Sequence, residues 1–425
     1  MLRLRVKSAL TASVALGALV AASAVSAQDL RYMCYQDGSE CDVTRALLDQ
    51  FEADNPGITV VVDTVPYQAV LDNLPVQLAA GEGPDMARVT DLGGLNQYYL
   101  DMTPYVDASY WEANFGQTLN WLRSGPDDAG IYGMMTQLTI TGPYVNATLY
   151  ELAGMDMPGE GATWDDWAES SRAVAEALEI PFPMAMDRSG HRFAGPAMSN
   201  GAAYFDADGA PILVDDGFRD FAATFVGWHE DGTMPVDVWG GAGGGTYRDA
   251  FAEFSNGNLV FYMSGSWQIG RMENDIGDGF DWMVVDNPCG VAGCTAMPGG
   301  AAMVAFAHTE HPEAVSMVID FLAQQDSYSA MMAQTNQIPA HLGVASAGVD
   351  FTAGDDAAAA LSTFSAQVPN LLGPAFALQG YRFNRAVYNA TVTRLTQAIV
   401  GELSLDDALV RIDQDIADAL ATAAQ

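Results

Sequence analysis

The chain has 425 residues with 54 acidic and 17 basic side chains, a net charge of −37, and its length exceeds that of one ordinary domain, so two lobes with sizeable cores are expected. The charge excludes the basic patches that nucleic acid and anionic lipid require, and it suits solubility in a salty medium where carboxylate repulsion is screened. After the first 27 residues no segment is apolar and long enough to span a bilayer.

At the start of the chain, Arg3, Arg5 and Lys7 precede an uncharged run over 8–20 and small residues ending Val25-Ser26-Ala27. This pattern predicts a secretory leader over 1–27, cut after Ala27. A membrane anchor would need roughly 18 strongly apolar residues, and this run is diluted by Ala, Ser, Thr and Gly. No cysteine stands at the cut to take a lipid, so an unanchored, monomeric protein in the periplasm is expected. Beyond the leader every cation is an arginine, 14 in all, because Lys7 is the only lysine.

Residues 30–34 read as a strand and 43–52 as a helix, ended by Asn55-Pro56-Gly57. A β-branched run predicts a buried strand over 58–65, then a helix over 67–80 and, after the turn Gly81-Glu82-Gly83-Pro84-Asp85, a short strand over 86–89. That alternation implies an α/β fold with a parallel sheet. A helix over 164–178 can be capped by Thr163, with Asp165 and Asp166 in its first turn. Residues 204–213 read as a hairpin turning at Asp206-Ala207-Asp208-Gly209; a calcium loop would want Glu where Gly217 stands. The glycine stretch 240–245 lacks the GK[ST] of a phosphate cradle and is expected to be a loop at a cleft. Helices are predicted over 312–324 and 386–419, with 343–360 a loose, small-residue connection.

The four cysteines form two close pairs, Cys34 with Cys41 and Cys289 with Cys294. In an oxidising compartment each pair can close a small loop as a disulfide; a zinc site would want CxxC spacing or nearby histidines, and neither is present. Enzyme chemistry finds little support. Ser189 beside His191, and Ser264 or Ser266 near Trp267, lie in no GxSxG elbow, and the five histidines form no HExxH array. Acid pairs such as Asp165-Asp166 and Asp215-Asp216 arise by chance among 54 acids and mostly face water. No metal, cofactor or catalytic residue is expected.

Several segments resemble, in order, the family 1 extracellular solute-binding proteins of ATP-driven (ABC) importers, the group that includes maltose-binding protein. They are FEADNPGITVVVDTV (51–65), LAAGEGPDMARVTD (78–91), Tyr132-Gly133 with Tyr144-Val145-Asn146 and Leu152-Ala153-Gly154, Thr163-Trp164-Asp165-Asp166, FSNGNLVFYMSGSW (254–267), Pro298-Gly299-Gly300 and Gln337-Ile338-Pro339. The resemblance implies a two-lobed periplasmic binding fold, type II-like, with discontinuous lobes joined by crossing segments near Gln137, Asp286 and Gln337. The expected lobes are 28–136 plus 287–337 and 137–286 plus 338–425. It further implies capture of a small solute, a sugar, oligosaccharide or glycoside, by hinge closure and its delivery to a membrane permease.

Sugars offer hydroxyl pairs and apolar ring faces, so their sites combine polar side chains with an aromatic platform. By resemblance Asp91, before Gly93-Gly94, is a sugar-binding acid, or else a helix cap. Trp267 is a stacking ring or a core residue. Gln137 lies on the first crossing, and Tyr35, Gln36 and Asp37 follow the first strand on a loop that Cys34 and Cys41 pin. Asp187 and His191 follow a strand of the second lobe, although His191 also fits a satisfied surface histidine. Gly299 and Gly300 admit close backbone approach to a ligand, and Trp239 is a second platform candidate. Tyr381-Arg382-Phe383-Asn384-Arg385 replaces an aromatic pair of maltose-binding protein, which argues against maltodextrin. Arg382 and Arg385, with Asn384, either hold an anionic or hydroxyl-rich ligand or form salt bridges. A cationic solute such as a polyamine would need several acids and an aromatic box, and only Asp37 and Asp91 are evident.

Overall fold

The computed structural model describes residues 28–125, 127–206, 209–212, 214–241 and 247–423. The expected leader and most of the glycine stretch lie outside them, as do parts of the 204–213 turn. That turn is present as a bridge between Phe205 and Pro211, with the Ala210 amide donating to the Asp206 carboxylate.

Among the described residues eight strands form the framework: β1 Gln28–Cys34, β2 Ile58–Thr64, β3 Met86–Val89, β4 Gly133–Asn146, β5 Phe182–Met186, β6 Leu259–Gly265, β7 Trp282–Val284 and β8 Pro298–Ala305. Their order is β2-β1-β3-β8-β4-β6-β5, with β7 paired to β4 off this path. β1 runs parallel to β2 and β3, and β5 parallel to β6. β8 is antiparallel to β3 and β4, and β4 antiparallel to β6 and β7. The sheet is therefore mixed, where the first strand–helix alternation implied a parallel one; the antiparallel members are the strands that return between lobes.

β4 shows why. Its first half, Gly133 to Ile140, pairs with β8, and its second half, from Thr141, pairs with β6. Two cores sit on either side of that change: Met134 and Met135 pack in the first, Ile140 and Tyr144 in the second, and Leu138 touches both. The fold is thus a two-lobed α/β clamp crossed by the chain. Along β8 the change falls between Met297 and Ala301, later than the expected Asp286, because β7 and the segment up to Met297 stay with the second core. Past the third crossing, Ile338 bridges to Leu138, yet Ala340 and Val344 return to the first core before Ala357 joins the second. The stretches 287–297 and 340–344 therefore pack opposite to the expected lobes.

Local chemistry accounts for most elements. Thr163 accepts a hydrogen bond from the Asp166 amide, and the Asp166 carboxylate accepts from the Thr163 amide, a reciprocal cap that starts Trp164–Leu178 and satisfies two orphan helix-end groups. The expected helix over 67–80 is two, Tyr67–Asp72 and Leu74–Ala79, since Pro75 lacks an N–H and is tolerated only in a first turn. The expected loose connection instead carries Leu342–Ala347 and Asp355–Ala366; Ala357, Ala360, Leu361 and Phe364 bury a face that small-residue composition alone concealed. Both disulfides, Cys34–Cys41 and Cys289–Cys294, are formed. Among the described residues no helix is long and apolar enough to cross a membrane.

Candidate functional site

A cavity of about 710 Å³ opens between the lobes. Its walls are the segments that follow the carboxyl ends of parallel strands: Tyr35 and Asp37 after β1, Thr90 after β3, Asp187 to Arg192 after β5, and Trp267 with Gln268 after β6. Strand ends of this kind are where α/β sheets leave a crevice. Gln137, Thr139, Gly299 and Gly300 form the floor at the crossing of β4 and β8.

The first-lobe wall is held rigid from behind. The Cys34–Cys41 bridge closes the loop, and Glu40 accepts hydrogen bonds from the amides of Asp37 and Gly38 at 3.1 and 2.9 Å. Buried Arg88 pairs with Glu40 at 3.6 Å, donates to the Tyr35 carbonyl at 2.7 Å and lies 4.1 Å over the Tyr35 ring. On its other side Tyr35 meets Tyr67, 4.8 Å between ring centres. Burial pushes the Asp37 carboxyl above its usual range, against the pull of Arg88.

In the second lobe Asp187 accepts from the hydroxyls of Tyr262 and Ser264 at 2.7 and 2.6 Å, and Arg192 stands 3.8 Å away. The Arg192 guanidinium lies 4.0 Å over the Trp267 ring, which also lines the cavity. Gly265 allows this arrangement, because a Cβ there would stand 2.1 Å from the Trp267 ring. His191 bonds through Nε2 to the Pro298 carbonyl at 3.0 Å. Burial, with Arg192 beside it, brings this imidazole down to about 3, so it is neutral at physiological pH and Nε2–H is the donor. Arg188 donates to the Trp239 carbonyl and lies 4.1 Å over the Tyr247 ring. Arg385 reaches across the cleft to the hydroxyls of Tyr67 and Thr90, at 3.0 and 2.6 Å.

Of the residues expected from sequence, Tyr35, Asp37, Gln137, Asp187, His191, Trp267, Gly299, Gly300, Asn384 and Arg385 line this cavity. Gly299 and Gly300 also serve the crossing itself: a Cβ at Gly300, whose φ is +148°, would stand 2.2 Å from the Gln137 carbonyl, and one at Gly299 would stand 2.8 Å from Thr139. The other four lie elsewhere. The Gln36 amide oxygen turns back to accept from the Cys41 amide. The Asp91 carboxylate is buried and bonded to the Gly94 amide within the turn 92–95, with no helix starting at it, while Gly93 packs against the backbone of Gly380 and Arg382. Trp239 is a core residue, its indole donating to the Met186 carbonyl at 2.9 Å. Arg382 is exposed over Phe383.

Tyr67, Thr90, Arg188, Arg192, Gln268 and Tyr388 line the cavity as well without having been singled out. The two arginines could have been found. They flank Ser189-Gly190-His191 directly after a strand, in a chain where arginine is scarce. Tyr67 and Tyr388 start or occupy helices whose sequence shows no sign of which face meets the cleft.

Residues 39–328 match the sequence model of a family described as bacterial extracellular solute-binding protein. The arabinooligosaccharide-binding protein of Bacillus subtilis (strain 168) is 26% identical over 227 residues, which cover 51% of this chain and 50% of that protein. The match thus spans about half the length of that relative. A putative binding protein of Brucella abortus (strain 2308) is 22% identical over 289 residues, 65% of this chain and 67% of that one. Among solved structures, maltose-bound MalE3 of T. maritima superposes with a TM-score of 0.76 at 19% identity, covering 92% of this chain and all of that one. An ABC substrate-binding protein from Listeria monocytogenes in complex with cycloalternan also reaches 0.76, at 17% identity over 93% and 99% of the two chains.

Proposed function

The chain belongs to the family of bacterial extracellular solute-binding proteins, and from that premise we propose that it captures a saccharide or glycoside in the periplasm and delivers it to the membrane permease of an ATP-driven importer, with no chemistry on the ligand. The observation that carries this reading is the cleft. It joins the aromatic rings of Tyr67 and Trp267 to hydroxyl, amide, carboxylate and guanidinium groups from both lobes, the combination that hydroxyl pairs and C–H ring faces require. The saccharides named for the Bacillus relative and for the solved neighbours agree with it.

Capture works by closure. The lobes are joined where β4 and β8 cross and beside Ile338, so rotation about those few strands moves the Tyr35–Tyr67 wall toward the Asp187–Trp267 wall. A bound ligand bridges the walls and holds the closed shape, which is the signal a permease can read. The polyamine reading is less favoured, because Arg188, Arg192, Arg248 and Arg385 line the same cavity. A thermal-shift screen against neutral and acidic saccharides, polyamines and amino acids tests the proposal, since a ligand that binds only the folded state raises the melting temperature. A response confined to polyamines or amino acids would end the saccharide reading.

A further inference from the structure

Three polar groups on the second-lobe wall converge without acceptors. The Nε of Arg192, the Nε of Arg385 and the hydroxyl of Tyr388 are buried, and none has a hydrogen-bond partner among the described residues. All three residues line the cavity. His191 lies among them: its ring centre is 5.6 Å from that of Tyr388, its Nδ1 is 3.5 Å from Arg192, and it feels the charge of both arginines, as Tyr388 does. Two cations and a phenol therefore share one corner. The acids nearby offset this charge only from a distance. Both Asp187 oxygens already accept hydroxyl protons and stand no closer than 3.8 Å to Arg192, while Asp91 forms no ion pair within 4.0 Å of Arg385 and is bonded within its own loop.

The contrast with the rest of the chain makes the corner informative. Acids are abundant, and Arg45, Arg88, Arg123, Arg248 and Arg394 each have a carboxylate within 4 Å. Among the described residues Arg385 has no carboxylate within 4 Å and Arg192 only Asp187, at 3.8 Å; with their Nε donors unsatisfied, both are poised for an acceptor that arrives with the ligand. A carboxylate has the geometry, since its two oxygens can accept from guanidinium and phenol together.

We propose that the ligand is an acidic saccharide, a sugar bearing a carboxylate of the uronic type, whose carboxylate docks at the corner formed by Arg192, Arg385 and Tyr388. The inference rests on the saccharide reading above and narrows it. Calorimetric titration of the full chain with glucuronate, galacturonate and an oligogalacturonide, against glucose, galactose and neutral arabino- and malto-oligosaccharides, decides it. The acidic sugars are expected to bind at least about tenfold tighter than their neutral counterparts and to weaken as salt rises. Arg192→Gln and Arg385→Gln are each expected to lower that affinity about ten- to a hundredfold, and Tyr388→Phe to lower it less, with thermal melts confirming that each variant is folded. Arg385→Lys, which keeps the charge, is expected to retain part of the binding. Neutral sugars binding as tightly as acidic ones, or a response only to sugar phosphates, overturns the carboxylate assignment and leaves the saccharide reading standing. No response to any saccharide removes both.

Discussion

His191 offers the sharpest test of the cleft's electrostatics, because burial holds its imidazole at about 3 in the native state against about 6.5 when unfolded. The sign follows directly. A histidine with a depressed native value contributes stability that is fully present above pH 6.5 and is lost as pH falls toward 3, since only the unfolded chain takes up the proton. Between pH 7 and pH 5 the unfolded imidazole becomes almost fully protonated and the native one hardly at all, which linkage converts to about 2 kcal/mol of lost stability. His191→Gln keeps a donor toward the Pro298 carbonyl that His191 now reaches at 3.0 Å but removes the titration. Urea unfolding of both proteins at pH 7, 6 and 5 is expected to show the native chain losing about 2 kcal/mol more than the variant over that interval. Other titrating groups are common to both and cancel in the difference. If the two proteins lose stability in parallel, the imidazole is solvated and its place behind Arg192 is misread.

Trp267→Ala is expected to weaken saccharide binding by about tenfold or more, read by calorimetry, with the melting temperature of the unliganded protein little changed because the ring lies at the cavity edge. Gly300→Ala sets a Cβ 2.2 Å from the Gln137 carbonyl at a φ of +148° and is expected to cost about 2 kcal/mol or more in urea unfolding; an unaffected midpoint would show that the crossing can shift to admit it. Replacing Cys34 and Cys41 together by Ser opens a loop with a sequence separation of 7, and chain entropy puts the loss at roughly 2–3 kcal/mol. The same change is expected to lower saccharide affinity, since Tyr35 and Asp37 ride on that loop.

Residues that sit at strand ends were readable in advance, because the order of strand, glycine turn and polar side chain survives in one dimension. Tyr35, Asp37, Asp187, His191 and Trp267 follow strands that hydrophobic runs or motifs mark, and all five reach the cavity. Asp91 has the same signature but does not line the cavity. Its carboxylate is drawn to the Gly94 amide two peptides beyond Leu92, a local competition between turn and ligand contact that residue type cannot decide. Trp239 lies outside the cavity for another reason: an indole in an apolar neighbourhood gains most by burial, and here Phe225 and the Met186 carbonyl receive it.

By itself the sequence determines the alternation of strands and helices, the pairing of the cysteines, the cap at Thr163 and the acidic, arginine-only surface, since each depends on neighbours a few residues apart. Which lobe a segment joins is decided only in three dimensions. Residues 287–297 stay with the second core because β7 pairs with β4, and 340–344 return to the first because their apolar side chains find partners there. The convergence of Arg192, Arg385 and Tyr388 is of the same kind. Arg192 lies nearly two hundred positions before the other two, and only the packing of helix Gly190–Ser199 against Asn384–Ile399, made possible where Gly190 meets the backbone of Tyr388, brings their unpaired groups into one corner of the cleft.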